Sequence, residues 1–109
     1  MSSNSSAIQV TGVGPRFAFR FDTGASPTVD NVIGVDVTAT RDGANGWYTV
    51  THNLGHDGYV VLIAPEESAN ETYCNCTAWG RGGNTFGIYC EDSTGTAVNP
   101  GFIHGIIYD

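Results

Sequence analysis

Gly46-Trp-Tyr-Thr-Val-Thr-His-Asn-Leu-Gly-His-Asp-Gly-Tyr-Val-Val-Leu-Ile-Ala-Pro65 is the stretch whose reading decides the fold class. Trp47–Thr51 is β-branched and aromatic, the composition that fits a pleated, half-buried strand. His52–Gly58 then carries Asn53, Gly55, Asp57 and Gly58, residues that turn the chain readily, and Tyr59–Ala64 is a continuous apolar run. The pattern predicts a hairpin: strand, short polar connection, second strand. Because both faces of Tyr59–Ala64 are apolar, both need cover, and in a short chain a second subunit can supply it.

Outward from this segment, period-two alternation recurs. Phe17, Phe19 and Phe21 share one face and Arg16, Ala18 and Arg20 the other; Ile33, Val35, Val37 and Ala39 lie opposite Asp36, Thr38 and Thr40. Turn-forming clusters bound about eight expected strands: Ala7–Val10, Arg16–Phe21, Val32–Thr40, Trp47–Thr51, Tyr59–Ala64, Thr72–Trp79, Thr85–Cys90 and Phe102–Tyr108. The last is apolar on both faces, so it belongs with Tyr59–Ala64 at a sheet centre or a subunit contact. The expected fold is all-β: an antiparallel β-sandwich with jelly-roll or Greek-key wiring. Residues 7–109 form its single domain, a size that supports one two-layer core. Met1-Ser-Ser-Asn-Ser-Ser6 is polar and lacks the charged and apolar regions of a signal peptide, so it reads as a flexible leader.

The 109 residues include eleven acidic side chains and four cations, Arg16, Arg20, Arg41 and Arg81, for a formal charge of −7. Such a surface repels phosphate backbones and anionic lipid, which argues against nucleic acid and membrane partners. No apolar run approaches the about 20 residues needed to cross a bilayer.

Cys74, Cys76 and Cys90 are odd in number. On one strand Cys74 and Cys76 share a face about 6.5–7 Å apart at Cα, poor geometry for a mutual disulfide. Cys90 is free to pair with either across neighbouring strands, leaving one thiol over, and three reduced thiols packed as small hydrophobes are at least as good a reading. Cys-x-Cys with a distant His104 is weak support for a metal, and none is expected. Asn70-Glu71-Thr72 and Asn75-Cys76-Thr77 match the glycosylation pattern and are read as chance.

Phe21-Asp-Thr-Gly-Ala-Ser26 resembles the catalytic loop of aspartic peptidases, including the dimeric retroviral kind, which would make Asp22 half of a proton-sharing carboxylate pair. Arg20, Pro27 and Asp30 depart from that family's apolar flanks, and its late apolar-apolar-Gly-Arg segment is missing. Asp-Thr-Gly is also an ordinary turn, so Asp22 is expected to cap a loop and no catalytic residue is expected. His52 fits a strand end that hydrogen-bonds across a turn, and His104 a packed or interface histidine. Glu66, Glu67, Glu71, Glu91 and Asp92 fall in apparent loops without the burial that a glycosidase pair requires.

Trp79 precedes Gly80-Arg-Gly-Gly-Asn84, a pairing of aromatic face and adaptable polar loop that suits a sugar. The alternative is that Trp79 and Trp47 simply cover the core. On the strand Thr72–Trp79, the side chains of Tyr73, Asn75, Thr77 and Trp79 share one polar-aromatic face. The expected ligand residues are therefore Trp79, Arg81, Asn84, Tyr73, Asn75 and Trp47, and the expected oligomer contacts Tyr59, Val61, Ile63, His104 and Ile106.

The pattern aromatic-Thr-Val-Thr-His-Asn-Leu-Gly (residues 48–55) followed by Tyr59-Val-Val resembles the distal tip modules of bacteriophage tail fibres, and the likeness extends loosely through Tyr73–Cys90 and Phe102–Asp109. The resemblance implies a non-enzymatic, cofactor-free homotrimer at the end of a virion fibre that contacts a host-surface glycan or protein. Other readings are a purely architectural trimerising or capping module, a free-standing carbohydrate-binding module, and the peptidase half-enzyme.

Overall fold

The computed structural model describes residues 14–66 and 73–109, and among these no helix occurs. Eight strands form two antiparallel four-stranded sheets that pack face to face. The first sheet has the order β2-β1-β8-β5, with β1 Phe17–Asp22, β2 Val29–Ile33, β5 Val60–Glu66 and β8 Phe102–Tyr108. The second has the order β3-β4-β7-β6, with β3 Thr38–Arg41, β4 Trp47–Thr51, β6 Asn75–Trp79 and β7 Thr85–Glu91. Consecutive strands pair at β1–β2, β3–β4 and β6–β7; the ladders β1–β8, β5–β8 and β4–β7 join strands far apart in sequence. The β-sandwich expected from the alternation is the fold observed.

For β1 the core is what the alternation predicts. Phe17, Phe19 and Phe21 of β1 point inward with Ile103 and Ile107 of β8, and meet Tyr48, Val50, Phe86 and Ile88 of the second sheet. Phe21 and Tyr48 touch across the two layers at 5.9 Å between ring centres. Burial pushes the Tyr48 phenol pKa up to about 12, and its hydroxyl donates to Asn99 Oδ1.

Three expectations need correction. The supposed strand Val32–Thr40 is broken: β2 ends at Ile33, the chain crosses between sheets, and β3 begins at Thr38. Gly34 takes φ +81° there, and a Cβ on it would lie 2.5 Å from the Phe17 ring, so the corner requires glycine. Asn31 clamps the crossing with both ends of its amide, to the carbonyl and the N–H of Val37. As a result Val37 and Ala39 are buried while Ile33 and Val35 are exposed.

The supposed hairpin is not a hairpin either. β4 and β5 lie in opposite sheets, and residues 52–59 cross from one layer to the other. His52 and Tyr59 turn their side chains into the corner, 5% and 2% exposed, and that burial replaces direct strand pairing.

Finally, β8 is central as expected, but β5 is an edge strand. The expected strand Ala7–Val10, the leader Met1–Ser6 and the Asn70–Thr72 acceptor site, with Glu67 and Glu71, lie outside the described residues.

Candidate functional site

On the second sheet's solvent face, β4 contributes Trp47, Thr49 and Thr51, β7 contributes Thr85, Gly87 and Tyr89, and β6 contributes Asn75, Thr77 and Trp79. Strand register sets Trp47 opposite Tyr89 and Trp79 opposite Gly87. Gly87 has no side chain, and the Trp79 indole occupies that space; a Cβ there would lie 2.5 Å from it. Lying across β7 in this way, Trp79 meets Trp47 edge-on at 5.8 Å and 85°, while Trp47 packs on Tyr89 at 4.3 Å. Edge-to-face and offset ring pairs each add about 0.5–1.5 kcal/mol beyond area burial, enough to hold the three rings as one surface. The surface stays open, with Trp79 50% and Trp47 38% exposed.

Threonines border the rings. The hydroxyls of Thr49 and Thr40 donate to the Asp42 carboxylate at 2.7 and 3.3 Å, fixing an acidic acceptor beside the platform. This face therefore offers apolar ring surface together with hydroxyl and carboxylate groups.

Beside Trp79 a cleft of about 500 Å³ opens between edge strands β5 and β6, lined by Val61, Ala78, Trp79, Gly80, Arg81 and Phe86. The adjoining loop is held rather than adaptable. His52 Nδ1 accepts from the Leu54 N–H at 3.1 Å, which puts the ring proton on Nε2, facing the Tyr59 hydroxyl at 2.9 Å. That hydroxyl in turn donates to the carbonyls of Gly82 and Thr85. Burial is the main cause that lowers the His52 pKa, and it raises that of Tyr59. The N–H groups of His52 and Asn53 donate to the Asn84 carbonyl, and that of Gly55 to the Gly83 carbonyl at 2.7 Å. Arg81 lies over the Tyr59 ring at 5.7 Å, and its Nε donates to the Asp57 carbonyl at 3.0 Å.

The expected ligand residues thus separate. Trp79 and Trp47 are brought together on one face, and Arg81 lines the cleft beside Trp79. Asn84 is exposed, and its Oδ1 accepts from the Gly55 N–H at 3.1 Å, so its side chain also braces the loop. Asn75 is exposed at the far end of β6 opposite Glu91, and Tyr73 precedes that strand, also exposed; neither joins the ring cluster. Tyr89 was missed, although Thr85, Gly87 and Tyr89 alternate against Phe86, Ile88 and Cys90, a signal that was present.

The expected contact residues are half corrected. Tyr59 is core, and Val61 and Ile63, on the same face of the alternating strand, pack against that core. Val60 and Leu62 point out instead, 57% and 55% exposed. His104 and Ile106 do face outward, with His104 Nε2 2.8 Å from Glu66 Oε1.

Asp22 accepts backbone N–H groups from Thr28 at 2.9 Å and Gly24 at 3.0 Å, and these bonds lower its pKa. Both of its oxygens order their own loop, and Thr23 donates to the Pro100 carbonyl beneath it. Cys76 and Cys90, directly opposed on β6 and β7, form a disulfide with buried Cys74 beside it, the three sulfurs lying within 4.8 Å of one another. Cys90 thus takes the second of its two possible partners.

No family model, curated protein or solved structure matches this chain.

Proposed function

We propose that this domain is a non-enzymatic attachment module of a bacteriophage tail-fibre tip, acting as a homotrimer and binding a host-surface glycan. The observation that carries the reading is the cluster of Trp47, Trp79 and Tyr89, three rings held against one another on a solvent face bordered by threonines. Large exposed aromatics are costly to leave in water, and clustered ones on a face rich in hydroxyls favour a ligand that is both apolar and hydrogen-bonding. The trimer is supported from the opposite side of the sandwich, where Val60, Leu62, Ala64, Ile106 and Val32 face solvent. An aliphatic face of that kind favours protein contact over sugar contact.

A glycan array probed with the wild-type protein and with Trp79→Ala tests the function, with sedimentation equilibrium run first to establish the assembly. Binding to a defined glycan class that the substitution abolishes supports the proposal. A protein that binds no glycan but assembles into trimers returns the reading to an architectural module.

A further inference from the structure

We infer that the glycan bound here is anionic, its ring stacked on Trp79 and its carboxylate held by Arg81; this rests on the glycan-binding reading above. The cleft beside Trp79 has one charged lining residue, and it is Arg81. In a chain with eleven acidic residues and four arginines, a cleft whose single charge is positive runs against the overall balance. The other lining residues are Val61, Ala78, Trp79, Gly80 and Phe86, so no carboxylate in the lining competes with an incoming anion for the guanidinium.

Arg81 is also prepared for the task. Its Nε donates to the Asp57 carbonyl and its guanidinium lies over Tyr59, so its side-chain freedom is restricted before any ligand arrives. The carbonyl takes only the Nε proton, and among the described residues no carboxylate lies within ion-pair distance of Arg81, whereas Arg20 is bridged to both Asp30 and Glu66. A planar guanidinium with its terminal N–H groups presented matches a carboxylate fork, the acidic group of uronic and sialic sugars.

The test measures affinity of the full chain for carboxylated oligosaccharides (oligogalacturonate, hyaluronan fragments and sialyllactose) and for their carboxyl-reduced counterparts. The acidic sugars are expected to bind more tightly, and Arg81→Gln to weaken them roughly ten- to a hundredfold, the range of a hydrogen bond to a charged group. The reduced sugars are expected to lose less on the same substitution, and the excess loss of the acidic sugars is the quantity read. Should the variant fold poorly, salt decides instead: affinity for the acidic sugars falls as ionic strength rises, and that for the reduced sugars does not. Equal binding of acidic and reduced sugars, indifferent to Arg81 and to salt, overturns the inference and leaves glycan binding standing. Binding of neither kind overturns both.

Discussion

The outer face of β2-β1-β8-β5 carries aliphatic side chains crossed by ion pairs, whereas that of β3-β4-β7-β6 carries rings and hydroxyls. On the first, Val60, Leu62, Ile106 and Val32 share the face with Arg20, which lies 3.6 Å from Asp30 and 3.7 Å from Glu66 and covers the Phe102 ring at 4.2 Å. Arg20, Asp30 and Glu66 satisfy one another, while the aliphatic area is best removed from water by another protein surface. On the second face the apolar area belongs to aromatics, and Thr40 and Thr49 fix the Asp42 carboxylate next to them. The same backbone architecture thus presents two chemistries, and the difference lies wholly in which residues alternate outward.

The largest effect expected from breaking this comparison is at β5. Leu62→Asp puts a carboxylate on the aliphatic outer face and should dissociate a trimer into folded monomers, because a buried unpaired charge costs several kcal/mol. Val61→Asp, one residue away and inward, should unfold the chain instead. Sedimentation equilibrium and circular dichroism separate the two outcomes. A wild-type protein that sediments only as an 11.5 kDa species ends the idea that this face makes contacts.

Next in size is the disulfide. Cys76→Ser opens a cross-link spanning 14 residues between β6 and β7 and should cost about 2–4 kcal/mol in denaturant unfolding. Since β6 is the edge strand that carries Trp79, the aromatic face should loosen before the aliphatic one. Hydrogen exchange that reports equal loosening of β5 would remove the distinction.

Trp79→Ala is expected to cost ~2 kcal/mol or more of glycan binding, the scale of a central aromatic contact, with the fold intact. Trp79 is half exposed and rests on Gly87 from outside, so the core does not depend on it. A variant that melts far below wild type would show that the ring is structural cover.

The sandwich was legible where one residue type repeats on one face, as in Phe17, Phe19 and Phe21. It was not legible at Gly34, because a glycine inside an alternating run reads as strand interior unless its φ is known. Residues 52–59 look the same whether they close a hairpin or cross a corner; the buried pair His52 and Tyr59 decides, and burial is a tertiary property. The ring cluster was half legible. Trp47 and Trp79 were picked singly, but their contact depends on β7 lying between β4 and β6 and on Gly87 leaving room. Likewise the cysteine pairing depended on register, which set Cys76 rather than Cys74 opposite Cys90.

The smallest expected effect concerns the corner that joins the two layers. His52 is neutral in the fold, Nδ1 accepting from the Leu54 N–H and Nε2 facing the Tyr59 hydroxyl. Burial depresses its pKa below the ordinary 6.5, the nearby His56 adds to this, and Asp109 opposes it. The unfolded chain therefore takes up the proton first as pH falls. Stability is full above about pH 6.5 and declines below it, until the folded histidine is also protonated. His52→Gln removes the titration and should flatten this part of the pH profile relative to wild type. In wild type, protonation also withdraws the acceptor that the Leu54 N–H uses, while Nε2 keeps its proton toward Tyr59, so the effect is confined to the start of the corner. Identical pH slopes for wild type and His52→Gln would show that the corner histidine has no part in the pH dependence.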